Sequence, residues 1–193
     1  EHVAWRPQRE AAARNEAKVL DAARALLSSD APEVDMRVIA QAAGVGVGTL
    51  YRRFGAKAGL LAAVIGEDER ALQEAVLHGP PPLGPDAPPG ERLAAFMDAL
   101  VSLTERNLGA LLVTDLTPPG RLKVGAYRGW RLHLVTLLRR LRPDLDAKDA
   151  GWHADVLLAT VDPQLYAHQR REAGLSKRRI ASNAKALAAA IAG

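Results

Sequence analysis

Apolar residues recur three and four positions apart along most of the chain, the spacing that lines one face of an α-helix. In 13–29, "ARNEAKVLDAARALLSS", Val19, Leu20, Ala23, Leu26 and Leu27 form such a stripe with charges opposite, which predicts a first helix. "SSDAPEVD" ends it, and Asp35 offers an N-cap for a short second helix, Met36–Ala43, with Val38, Ile39 and Ala42 expected inward. Gly44 follows, where a helix end commonly needs a positive φ that glycine adopts without steric cost. A third helix is expected over Val47–Phe54 and a fourth over Lys57–His78.

Proline and glycine crowd "GPPPLGPDAPPG" (79–90), which reads as a linker or long loop, because proline has no amide hydrogen and blocks the preceding turn. Beyond it the pattern predicts a helix over 91–107, a stretch at 108–116, a break at "TPPG" (117–120), a helix over 121–141, a turn at 142–150 and a helix over 151–161. "DP" at 162–163 supplies an N-cap and a proline at the first helical position; Gly174 and Ser176 separate a last helix, 177–192. There is no internal repeat, and the expected fold is all-α.

Composition supports that expectation: aromatics are 4% of the 193 residues while alanine and leucine, strong helix formers, abound. With 48% hydrophobic residues the chain can bury one full core, or carry a small module on a larger one. The absence of cysteine excludes disulfides, thiolate metal sites and a cysteine nucleophile. The longest apolar runs, such as "LLAAVI" (60–65) and "VLLATV" (156–161), fall far short of the roughly 20 residues of a spanning helix. A cytoplasmic protein with no membrane partner is expected. The 26 basic and 22 acidic residues leave +4, so the position of the charges matters more than their sum.

"GVGVGTLYRRF" (44–54) poses the functional question, because its glycines could cradle a phosphate or introduce a helix. Their G-x-G-x-G spacing matches neither nucleotide-binding pattern, and "MRVIAQAA" before them is helical rather than a strand. On a helical wheel Val47, Leu50, Tyr51 and Phe54 make one apolar face. Gly48, Thr49, Arg52 and Arg53 project the other way, with Tyr51 reaching the edge. From Met36 to Gly66 there are four basic residues, Arg37, Arg52, Arg53 and Lys57, and no acidic one. Two short helices across a glycine turn, the second presenting a basic face, describe a helix-turn-helix suited to a nucleic-acid groove. The plainer alternative is a solvated arginine pair on an ordinary core helix.

The stretch "VIAQAAGVGVGTLYRRFGAKAGLLAAVI" (38–65) resembles the DNA-binding region of the tetracycline-repressor (TetR) family of bacterial regulators, through the pattern "IA..AGV..GTLY..F..K..L". The resemblance implies an all-helical homodimer with an N-terminal three-helix DNA-binding domain (1–56) and a C-terminal helical domain for ligand binding and dimerisation (57–193). It implies double-stranded DNA and a small-molecule effector as partners, and no cofactor. Position by position, Val47, Gly48, Thr49, Tyr51, Arg52 and Arg53 match the recognition helix, Arg37 the second helix and Lys57 the start of the fourth. After that lysine the family usually has an acidic residue, where this chain has Ala58 and Gly59, which weaken the start of the fourth helix. Arg52 is the candidate for reading guanine and Arg53 a lesser one; Thr49, Tyr51 and Lys57 suit phosphates, and Val47 a thymine methyl.

The segment 154–180 resembles the C-terminal part of many actinobacterial members, with dimerisation through the last two helices implied. Tyr127, Trp130, His133 and Trp152 are polar-tipped aromatics that could line a ligand pocket. The basic run 170–179 is read as solvated helix-end charge. The histidines show no metal-ligand spacing and no nucleophile motif occurs, so neither a metal site nor a catalytic residue is expected. The competing functional reading is a helical small-molecule-binding or enzymatic domain without a role on DNA.

Overall fold

The computed structural model describes residues 5–28, 35–113 and 125–193, with residues 5–10 and 28 described by backbone alone. These residues form helices and no strand. In chain order they are α1 (Trp5–Ser28), α2 (Met36–Ala43), α3 (Val47–Phe54), α4 (Lys57–His78), α5 (Pro89–Val113), α6 (Gly125–Leu141), α7 (Ala147–Ala159), α8 (Pro163–Arg171) and α9 (Lys177–Ala192).

The second, third, fourth and last helices lie where the sequence pattern puts them. Three expectations change. The first helix starts at Trp5 rather than residue 13, Pro7 being tolerated within its first turn, where no helical amide partner is lost. The segments 91–107 and 108–113 are one helix, since "ERNLGALLV" contains no residue that breaks it. The seventh begins at Ala147, because Asp146 accepts hydrogen bonds from the amides of Lys148 and Asp149 and caps the helix before residue 151. The proposed break at 117–120 and the helix start at 121–124 lie outside the described residues.

Contacts divide the chain into two units. The first runs to Glu67 and adds the segment from Gly109. Its core joins Val19, Leu20 and Ala23 of α1, Met36, Ile39, Ala40 and Ala43 of α2, Leu50 of α3, and Leu60 and Val64 of α4. In α2 the inward face is therefore set one step from the expected one: Val38 and Ala42 are exposed. Leu61 and Ile65 pack on Ala110 in a smaller apolar cluster. The second unit holds Asp68–Leu108 and the described residues from 125 on, around a larger core that includes Phe96, Met97, Leu134, Leu138, Leu157 and Tyr166. Buried Arg92 donates to the carbonyls of Val76 and Leu83, tying the end of α4 and the proline-rich loop to α5.

Candidate nucleic-acid interface

The turn between α2 and α3 is built from its capping groups. Asp35 caps α2 through the amide of Arg37, and Gly44 ends it at φ 67°, donating to the carbonyls of Ala40 and Gln41. The left-handed conformation expected of Gly44 is thus present. Gly55 closes α3 at φ 72°, donating to the Tyr51 carbonyl. An eight-residue helix has too little internal stability to stand alone, so α3 depends on its anchor in the core. That anchor is narrower than the expected four-residue face. Leu50 is 1% exposed and Phe54 is half-buried, whereas Val47 and Tyr51 are exposed.

Gly48, Thr49, Arg52 and Arg53 are exposed as well, so α3 presents most of its circumference outward. Arg37 on α2 is exposed and Lys57, in the first turn of α4, is half-buried. Among the described residues Arg52, Arg37 and Lys57 have no carboxylate partner. A cation in a first helical turn opposes the macrodipole, which an incoming anion would reverse.

Two glycines behave oppositely. A Cβ added to Gly48 would meet no atom within 4 Å, so nothing inside the protein requires glycine there. A Cβ on Gly59 would run into the backbone carbonyl of Phe54. Gly59 therefore lets α3 and α4 approach closely, and α4 begins at Lys57 despite the low helix propensity of "KAG".

One residue of this surface was not singled out from the sequence. Glu16 on α1 accepts from Arg53 Nη2 at 2.8 and 3.0 Å. Its signal lies in the spacing: Glu16 falls three and four positions before Val19 and Leu20, on the edge of the core stripe.

In the larger unit Tyr127 and Trp130 pack partly buried against the core, and Tyr127 donates to Asp155, which also holds Arg131. His133 stacks edge-on against Phe96 at 4.7 Å, its buried Nε2 without a hydrogen-bond partner among the described residues. Burial, aided by the Arg92 charge, holds its imidazole down to about 4. Trp152 is not brought together with these three; it is 63% exposed. No group of three or more His, Asp or Glu among the described residues is arranged to hold a metal ion, and no described helix is long and apolar enough to cross a membrane.

Residues 19–64 match the family model of bacterial regulatory proteins, tetR family. Among curated proteins none matches the chain. Solved structures with the same fold include a transcriptional regulator from Rhodococcus sp. Rha1, 21% identical over 92% of this chain and 94% of that one, TM-score 0.66. The TetR-like regulator LfrR from Mycobacterium smegmatis, solved with proflavine, is 20% identical over 93% and 96%, TM-score 0.61. FadR from Bacillus subtilis, a transcriptional regulator solved with stearoyl-CoA, is 18% identical over 91% and 97%, TM-score 0.61. Residues 19–64 thus match the tetR-family model across this helix-turn-helix, and the chain shares the fold of these solved regulators over more than nine-tenths of its length.

Proposed function

We propose that the chain is a ligand-responsive repressor that binds a palindromic operator in the cytoplasm as a homodimer. Residues 1–56, joined by the start of α4, read DNA, and the rest of 57–193 binds the effector and dimerises. The observation that carries this reading is the exposed face of α3, where Arg52 has no carboxylate partner among the described residues, on a helix anchored by Leu50.

On this reading Arg52 donates to a guanine edge and Val47 meets a thymine methyl. Thr49, Tyr51, Arg37 and Lys57 contact phosphates, which set register and affinity without selecting sequence. Gly48 lets the helix backbone approach the groove. Two such heads related by a two-fold axis fit half-sites roughly 34 Å apart, or a multiple of that. Exposed Leu165 on α8 and Leu187 on α9 support pairing through the last two helices. Tyr127, Trp130 and His133 are the ligand-facing candidates, with the unpaired Nε2 of His133 a hydrogen-bonding group for an effector; Trp152, being exposed, contributes only at a pocket's rim. A ligand releases DNA to the extent that it binds better to the conformation that does not fit the operator. No catalytic step enters this cycle.

The test is retention of genomic fragments across salt concentrations. Phosphate contacts impose a steep loss of affinity with salt, and one fragment class should persist above the non-specific background. Arg52→Ala should relax base preference at one position of the site, whereas Lys57→Ala should weaken all sequences alike and lower the salt slope by about 0.9. Absence of any fragment above background would refute the repressor reading.

A further inference from the structure

The groove between α1 and α3, about 850 Å³, is lined among others by Asn15, Thr49, Arg52, Arg53 and one acid, Glu16. The sequence from 36 to 66 carries no carboxylate, so the fold brings this one in from α1. Glu16 is held at the edge of the core, its side chain 34% exposed, with both oxygens on Arg53 Nη2. Arg53 itself is 62% exposed. Arg52, one residue earlier, has no such partner among the described residues.

We propose that Glu16 sets the affinity and selectivity of the DNA-binding face by competing with DNA phosphate for Arg53. The inference rests on the DNA-binding reading above and adds a determinant to it. Paired with Glu16, Arg53 brings no net charge to the backbone and neutralises no phosphate. The fixed carboxylate also repels the polyanion it faces. Both effects lower the sequence-independent part of binding, which is the part governed by counterion release. Base reading by Arg52 is left in place, so the ratio of specific to non-specific affinity rises. Exposed pairs of this kind are weak enough to be exchanged, and removal of the carboxylate therefore releases a cation ready for phosphate.

The experiment compares wild type, Glu16→Gln, Arg53→Gln and the double variant on two duplexes: one selected by the wild-type protein from a random pool, and one of unselected sequence and equal length. Binding is measured from about 50 to 200 mM KCl. Glu16→Gln is expected to tighten binding to both duplexes by about threefold to tenfold at the lowest salt and to steepen the salt slope by about 0.9, as one added phosphate contact requires. The ratio between the duplexes should fall. Arg53→Gln alone should leave the slope unchanged, and adding it to Glu16→Gln should cancel the gain. An unchanged slope in Glu16→Gln, or a slope reduced by about 0.9 in Arg53→Gln alone, would overturn the proposal while leaving the DNA-binding reading intact. If the wild-type protein selects no duplex, the DNA-binding reading fails and the proposal falls with it.

Discussion

Gly48 and Gly59 show how one residue type serves opposite ends within a dozen positions. Glycine within a helix costs roughly 0.5–1 kcal/mol relative to alanine, through backbone entropy. At Gly48 the added methyl meets open space, so Gly48→Ala should raise the unfolding free energy by about that amount. On the proposed DNA-binding reading it should at the same time weaken DNA binding, because the methyl would occupy the approach to the groove. At Gly59 the same change drives a methyl into the Phe54 carbonyl, and Gly59→Ala should lower the melting temperature instead. Thermal melts of the two variants beside a DNA titration decide both. If Gly48→Ala binds DNA as the parent does, the close approach assigned to that position is wrong. His133 adds a pH dependence. Its imidazole stays neutral in the fold down to about 4, while the unfolded chain protonates it below about 6.5. Its contribution is thus constant above pH 6.5 and turns destabilising as pH falls from 6.5 towards 4. Urea midpoints at pH 7 and pH 5 should differ more for the parent than for His133→Leu.

Among the elements, α3 and α8 are held by different means. Leu50 is the fully buried anchor of α3, so that helix depends on this residue, on half-buried Phe54 beside it and on its glycine-flanked ends. The short α8 begins with Pro163 under an Asp162 cap and is tied to α5 by polar groups. Tyr166, fully buried, donates to Glu105 at 2.7 Å, and Arg170 donates to the same carboxylate from Nε and Nη2 at about 3 Å. The Arg170 hydrogen bonds outweigh desolvation and hold the Glu105 carboxyl below the usual carboxylate range. Stability from this cluster is therefore present above the unfolded carboxyl pKa and fades as pH falls below it. Glu105→Gln should cost about 1–3 kcal/mol at pH 7, and the difference from the parent should shrink below about pH 4. A difference that persists undiminished at pH 3 would mean the cost is one of packing rather than charge.

For the whole molecule, the proposed function makes the number of heads that engage DNA together the decisive quantity. If α3 is the recognition helix, its eight residues cover few base pairs, and a palindrome is read only when two copies associate. With Leu187 exposed on α9, the proposed pairing predicts that the parent sediments as a dimer and Leu187→Glu as a monomer. Operator affinity should fall at protein concentrations where the parent is paired. A variant that remains dimeric would place the pairing surface elsewhere.

The sequence by itself determined most helix positions, the glycine turn, the acid-free stretch from 36 to 66 and the family resemblance, because each depends on spacing within a few turns of chain. Helix ends were legible where the capping residue stands beside the helix it starts, as Asp35 and Asp162 do. The true start of α7 was obscured by a turn-like composition that Asp146 overrides. The tertiary structure alone decided how much of each face is buried. A wheel assigned Val47 and Tyr51 inward, but only a narrow strip of α3 meets the core, and both stay outside. It also brought Glu16 to Arg53 across 37 positions, a meeting that local periodicity cannot encode because it is set by how two helices pack.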